Sequence, residues 1–459
     1  MSLVRFLLAA FLALTLSGSA SAQSAPVALS PQELRAAAVT LLEQGNAAQA
    51  LRFARALLQR DSTDLAALLI GAEAAIALDD PATARALAAR AWPLATTPDT
   101  RFRAARLAAL ALSLEGRDTT AQLWLRRAFQ DAPSEDARRS AAEDYRFLRA
   151  RNPLRFQLSG GLRPSSNING GSSEDTQAQA WLGGIPLAIS EASRALAGWE
   201  LSGDIDLSYR LRETTKSQTS FLLDASFHLF WFTPSTSQRV PDLSASNFNR
   251  QEITTGIRHS IISERSSAPM SMTATVGRRW FGGEVYSTSQ NLSAVIPYDV
   301  SDTTTVSLSL AAGRAHYPGS SNGITHTRAI GLGYQRRVND SVRLDAGFTG
   351  TTSRSQSATR DFNSYRAVIG AQFDSFLSSV DIGISSSLEF RDYTRDFAIF
   401  VPNKREDRIK SLSISTTIPN LEFYGFRPVL TTQFTDTRST INTFSSRTLS
   451  TGLTFRSSF

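Results

Sequence analysis

Residues 449–459 alternate without a break: Leu449, Thr451, Leu453, Phe455, Ser457 and Phe459 on one side, Ser450, Gly452, Thr454, Arg456 and Ser458 on the other. A period of two belongs to an extended strand with one face toward an apolar medium and the other toward water. Alone this says only strand, because an antiparallel strand lying on a soluble core reads the same way. Repetition decides the matter. From Pro153 onward the chain turns rich in Ser, Thr, Gly, Phe and Leu, and about fourteen such segments follow one another. In one, Leu201, Gly203, Ile205, Leu207, Tyr209 and Leu211 alternate with Ser202, Asp204, Asp206, Ser208, Arg210 and Arg212. In another, Val380, Ile382, Ile384, Leu388 and Phe390 alternate with Ser379, Asp381, Ser385, Ser387, Glu389 and Arg391. Lipid would penalise the charged set by several kcal/mol per strand, so that set is expected to face a water-filled lumen.

After residue 22 no stretch approaches the roughly twenty apolar residues of a spanning helix. In lipid every backbone polar group needs an internal partner, which strands achieve only by closing on themselves. The spacing therefore predicts a transmembrane antiparallel β-barrel of about 14 strands over 153–459. The connections test this independently. Long segments follow the odd strands, at 164–196, 233–248, 317–323, 351–360, 395–405 and 438–445, whereas short turns such as 213–216, 263–265 and 337–340 follow even ones. Bacterial barrels keep long loops outside and short turns in the periplasm, so Phe459 and everything preceding the barrel are expected on the periplasmic side of the outer membrane of a Gram-negative bacterium. Two connections break the parity: Gly282-Gly283 is tight, and 419–425 is longer than its place requires. An apolar piece at 180–189 reads either as an extra strand or as a segment folded into the lumen. Trp199, Trp231, Trp280, Phe281, Tyr298, Tyr317 and Tyr393 fall near strand ends, where interfacial girdles belong.

The N-terminal part differs in kind. Residues 1–22 hold one positive charge at Arg5, an apolar run at 6–16 and Ala20-Ser21-Ala22, the pattern of a signal peptide cleaved before Gln23. From 31 to 151 the chain is Ala, Leu and Arg with apolar positions at helical spacing. Breaks at Gly45-Asn46, Asp79-Asp80-Pro81 and Gly116-Arg117-Asp118 recur at about 35 residues, the period of a tetratricopeptide-like helical repeat. Equivalent positions hold Ala50, Ala84 and Ala121, then Leu58, Trp92 and Phe129. Such an α-solenoid offers a concave face to an extended peptide or protein surface, or serves as a spacer. Arg101, Arg103, Arg106, Arg126 and Arg127 mark either a surface for an acidic partner or, the favoured reading, a solvated helix face. The multidomain expectation is thus α first and all-β after.

The chain has no cysteine, which excludes disulfides, thiolate metal sites and a cysteine-borne lipid anchor. Its net charge of +7 is scattered, giving no nucleic-acid partner. His228, His259, His316 and His326 sit on separate strands or loop edges with no carboxylates in a ligand pattern. No nucleophile elbow, phosphate loop or zinc-helix motif is present. A non-catalytic protein without cofactor or metal is expected.

A periplasmic repeat domain followed by a barrel of this size resembles the surface lipoprotein assembly modifier family. Ser166-Asn167-Ile168-Asn169, just after the first strand, resembles the Asn-x-Asn segment those proteins carry there, with Asn167 and Asn169 at the two asparagine positions. Gly425-Phe426-Arg427-Pro428, leading through Gln433-Phe434-Thr435 to Phe459, resembles their closing hairpin. Ser439-Thr440-Ile441-Asn442 departs from the Ser-Asn-Ile common at that loop. The resemblance implies delivery of client surface lipoproteins, or related secreted binding proteins, from periplasm to cell surface. Asp204, Asp206, Arg210, Arg212, Asp381, Glu389 and Arg391 would then line the path. Leu453, Phe455 and Phe459 resemble the signal read by the barrel-assembly machinery, and outer-membrane lipid is the remaining partner. An exopolysaccharide exporter or a passive porin-like channel is the alternative.

Overall fold

A computed structural model describes residues 29–179, 185–319, 323–376, 380–396, 404–419 and 421–457. The expected signal peptide and Phe459 lie outside these residues. Among these residues seven helices come first: α1 Pro31–Glu43, α2 Ala47–Arg60, α3 Leu65–Ala77, α4 Pro81–Leu94, α5 Pro98–Leu114, α6 Asp118–Gln130 and α7 Glu135–Arg151. Local chemistry sets their starts. Ser30 and Glu33 form a capping box, while Asn46, Asp64, Asp80, Thr97 and Ser134 each accept an otherwise unpaired first-turn N–H. Gly45 and Gly116 adopt φ of 79° and 73° where the chain leaves α1 and α5.

The chain divides into two compact units, one ending at Arg117 and the other beginning at Asp118. In the first, helices pack in chain order, and α1 meets α3 as α3 meets α5, an arrangement compatible with stacked helix-turn-helix repeats. Ala50 and Ala84 are fully buried, which lets paired helices approach closely. Ion pairs Arg35–Asp64, Glu73–Arg103 and Arg85–Glu115 join residues 29, 30 and 30 positions apart and so tie the helices to one another. The hydrogen bond from Arg85 holds the Glu115 carboxyl below its usual range. That contact therefore contributes at neutral pH and weakens as pH falls through the lowered pKa.

The second unit holds α6, α7 and fourteen antiparallel strands in one closed barrel. These are β1 Leu154–Ser165, β2 Gly198–Glu213, β3 Ser217–Phe232, β4 Arg250–Ser263, β5 Ser266–Phe281, β6 Glu284–Ser301, β7 Thr304–His316, β8 Ile324–Arg337, β9 Val342–Ser355, β10 Phe362–Phe376, β11 Val380–Tyr393, β12 Glu406–Thr417, β13 Phe426–Ser439 and β14 Ser446–Ser457. The alternating last strand closes the ring, pairing with β13 on one side and β1 on the other, with Leu453 opposite both Leu430 and Leu162. The seam is tight. A Cβ on Gly161 would lie 2.6 Å from the Leu453 carbonyl oxygen, and one on Gly452 would lie 2.4 Å from the Arg163 Cβ.

The apolar positions form an exposed band, with Ile330, Leu332 and Ile369 showing 56%, 62% and 66% of their surface. Apolar exposure this continuous belongs against lipid, so this face is the outer one. Trp199 stands opposite Trp231 near the rim, where an aromatic girdle belongs.

The loop parity holds along the ring, and its two exceptions have physical causes. Gly282 and Gly283 both have positive φ, 60° and 89°, as a two-residue type I′ hairpin requires. The connection after β12 is long because it reaches α6. Arg126 donates to the carbonyls of Tyr424 and Gly425 at 3.2 and 3.1 Å, and the Gln130 side-chain oxygen accepts from the Tyr424 N–H at 2.8 Å. Arg126 is buried, packing over the Tyr145 and Phe426 rings, which corrects its expected place on a solvated face. Of the apolar piece at 180–189, the described part Ile185–Ala188 pairs with Thr176–Gln179 in a two-stranded sheet apart from the barrel, and 180–184 lie outside the described residues.

Candidate functional site

The polar face of the barrel wall is the inner one, and the long loops fold onto it at one mouth. Ile168 and Leu196 from the first loop and Val240 from the second pack against Phe230 on β3, all four buried. Phe230 shares its face with Glu200, its cross-strand partner. Beneath this apolar contact lies a charge cluster. Arg163 donates to Glu200 through Nε and Nη2 at 2.9 and 2.8 Å, and His228 Nδ1 is 2.7 Å from the same carboxylate. Arg250 stacks over the Phe230 ring at 5.3 Å and donates to the Ile168 carbonyl at 3.4 Å. Glu200, with only 8% of its side chain exposed, thus meets two cationic-capable neighbours at once, while Arg250 ties the inner wall to the loop.

The Asn-x-Asn segment is what shapes that loop. Asn167 exchanges two hydrogen bonds with the Gly171 backbone at 2.9 Å each. Asn169 donates to the carbonyl of Arg194 at 2.8 Å and accepts from the Leu196 N–H at 3.0 Å, so it joins the two ends of a loop more than twenty residues long. Both side chains are spent on backbone partners within the loop, which leaves Ile168 between them free to plug into the Phe230 cluster. Sequence reading found the asparagines but not the isoleucine. Ile168 is 2% exposed, and an apolar residue inside a polar loop is the signal that points to it.

The residues expected to line the lumen are distributed rather than gathered. Asp204 accepts from the Ser159 hydroxyl at 2.9 Å, and Asp206 lies opposite Asp224 across β2 and β3. Like charges so placed ordinarily weaken a ladder, and a wet interior with Arg258 beside them relieves the repulsion. With Arg149, Arg155 and Gln157 they line an inner concavity of about 740 Å³ at the short-turn end. Arg210 donates to Glu213 and to the Arg151 carbonyl at 2.7 Å each, tying the end of α7 to the wall. Across the ring Glu389 accepts from Arg391 at 2.7 Å, and Asp381 accepts from the N–H of Ser375, near the end of β10, at 2.9 Å. Arg212 is the exception. A register shift between Arg210 and Arg212 sets it opposite Thr219. Thr219 meets His259, which lies between the outward Ile257 and Ile261. The bulge therefore turns Arg212 to the outer face at the barrel rim, where an arginine reaches headgroups readily.

Among the described residues no group of three His, Asp or Glu side chains is placed to hold a metal. The arrangement is that of a wet, charge-lined barrel, covered by loops at one mouth and joined to helices at the other.

A closed barrel with an apolar outer band and no helix among the described residues long and apolar enough to span a membrane defines an outer-membrane β-barrel protein. Residues 221–457 match the pattern of the surface lipoprotein assembly modifier family, over half of the chain, and the chain belongs to that family. Its role is in surface lipoprotein assembly at the outer membrane, and family and fold together point away from catalysis. No curated protein matches the chain. Among solved structures, the outer-membrane channel DcaP of Acinetobacter baumannii is 9% identical, covering 67% of this chain and 97% of its own, with a TM-score of 0.39. A BenF-like porin from Pseudomonas fluorescens is 8% identical over 66% and 98%, with a TM-score of 0.35. The translocator chaperone SycD of Yersinia enterocolitica is 15% identical over 26% and 83%, with a TM-score of 0.25. Likenesses this distant decide nothing, and the barrel is read from its own strand pairing.

Proposed function

We propose that the chain delivers client lipoproteins, or related secreted binding proteins, from the periplasm to the cell surface. In this reading residues 31–151 form a periplasmic tetratricopeptide-like domain that captures the client, and the barrel of 153–459 passes or presents it. The observation that carries the reading is the union of α6 with the turn after β12 through Arg126 and Gln130. That contact, within the unit that holds the barrel, ties α6 to the short-turn end of a charge-lined lumen and supports delivery from that side. Asp204, Asp206, Arg210, Glu389 and Arg391 would keep the path wet, and the barrel-assembly machinery would read Leu453, Phe455 and Phe459.

A chain lacking residues 31–117, expressed in a strain without the native gene, is expected to insert but to leave its clients inside. Surface lipoprotein, measured by antibody on intact cells, should fall about tenfold, the effect of losing a specific capture site of about 1.4 kcal/mol or more. A passive channel would not need those helices, so undiminished display overturns the reading. Orientation is tested separately. The chain has no cysteine, so Ser357→Cys in the loop after β9 should react with a membrane-impermeant maleimide on intact cells. Asp340→Cys in the turn after β8 should react only after the outer membrane is opened. The reverse pattern would put the helices outside.

A further inference from the structure

The outer wall carries a basic patch that neither closure nor client passage uses. Between β4 and β8 the apolar face is indented by a concavity of about 700 Å³, and its rim toward the long loops is cationic. Arg314 lies directly opposite His326, with Arg328 one pair further along β8. Arg278 lies opposite Thr288, which in turn lies opposite His316. All share the face of the exposed Val276, Leu292 and Ile330.

Basic neighbours so arranged repel one another, and none of Arg278, Arg314 and Arg328 forms an ion pair with a carboxylate among the described residues. Other arginines of the barrel do. Arg279 pairs with Glu252 on the inner face, and on the far wall Arg438 and Arg447 share Asp436. Arginine on a lipid-facing wall is costly at the bilayer centre but cheap near the interface. Arg314 and His326 are each two residues from the loop end of their strands, at interfacial depth. Guanidinium groups bind phosphate bidentately, and Ala274 and Ala312 leave the floor of the indentation low enough for an acyl chain.

We propose that this patch binds the phosphate-bearing headgroup of an anionic lipid in the leaflet on the long-loop side, with an acyl chain in the indentation. Under the orientation argued above this is the outer leaflet, and the lipid a phosphorylated glycolipid. The clustered cations then supply a lipid clamp that steadies β5 to β8 against the membrane.

The test is native mass spectrometry of the full purified chain with bisphosphorylated lipid A, its dephosphorylated form, or inorganic phosphate. The wild-type chain is expected to retain the phosphorylated lipid, and Arg314→Ser with Arg328→Ser to retain about tenfold less, a loss of about 1.4 kcal/mol. Arg278→Ser alone, further from the centre, should give a smaller loss, which keeps the test decisive should the double variant fold poorly. Lys216→Gln, in the short turn after β2, should change nothing. Equal retention of both lipid forms, undiminished retention in the variants, or inorganic phosphate binding without lipid preference would each overturn the proposal. No client takes part, so this result and the delivery assay can fail independently, and the maleimide pattern reports orientation apart from both.

Discussion

Gly161→Val is expected to abolish the closed barrel. The seam between β1 and β14 leaves no room for a side chain at this position, because a Cβ alone would sit 2.6 Å from both the Leu453 carbonyl oxygen and the Thr454 Cγ2. Valine adds two methyl groups to that conflict, and relief requires β1 to move off β14. Overpacking costs about 1–3 kcal/mol in a core that can adjust. Here the adjustment also breaks ladder hydrogen bonds and exposes strand edges, which lipid does not tolerate. The heat-modifiable folded species on a cold gel should fall at least about tenfold. Gly160→Val is the matched control. Its Cβ would meet only the Ser202 carbonyl oxygen at 3.4 Å, so the folded species should persist. Equal loss in both variants would mean that strand propensity, rather than the seam, governs assembly.

Glu200→Ala is expected to open the loop-covered mouth. Removing the carboxylate leaves Arg163, His228 and the nearby Arg250 without their shared counter-charge. A charge-assisted bond lost from such a site costs about 1.5–3 kcal/mol, and the lower end applies because Arg163 and His228 are each about a third exposed to solvent. The strain falls on the loop, since Arg250 also holds the Ile168 carbonyl. Single-channel conductance should rise, and the loop after β1 should become a protease site. Ile168→Ser should have the same effect by a different route, by removing the side chain that fills the space beside Leu196 and Phe230. Unchanged conductance in both would mean that the loops do not close the mouth.

Most of the fold is legible in the sequence because a barrel writes itself locally. Each strand declares its two faces in about ten residues, and loop length alone separates the two ends. The places where that reading fails are those decided at long range or by a single residue. Leu211 is one residue too many between Arg210 and Arg212, and because Arg212 and Glu213 are charged on either face, the slip leaves no trace in the pattern. Arg126 looks like its solvated neighbours until Tyr424 and Gly425, nearly 300 positions away, are brought against it. The 180–189 piece has strand composition, and its described part, Ile185–Ala188, is a strand, but the pairing partner is Thr176–Gln179 rather than the wall. Asn167 and Asn169 drew attention as a motif, yet their bonds are internal to the loop, and the contact they serve belongs to Ile168. The charge cluster around Glu200 escaped for the same reason: Arg163, Glu200, His228 and Arg250 lie on four strands, and only the register between strands brings them together.

Delivery of lipoproteins to the cell surface by this barrel and its helices is open to direct test. The most direct measurement is protease digestion of intact cells, with and without the gene, followed by quantification of each candidate client. Clients are expected to become protected in the deleted strain at unchanged total abundance, and the full chain, but not one lacking residues 31–117, to restore their digestion. Undiminished digestion of every candidate client in the deleted strain would contradict it.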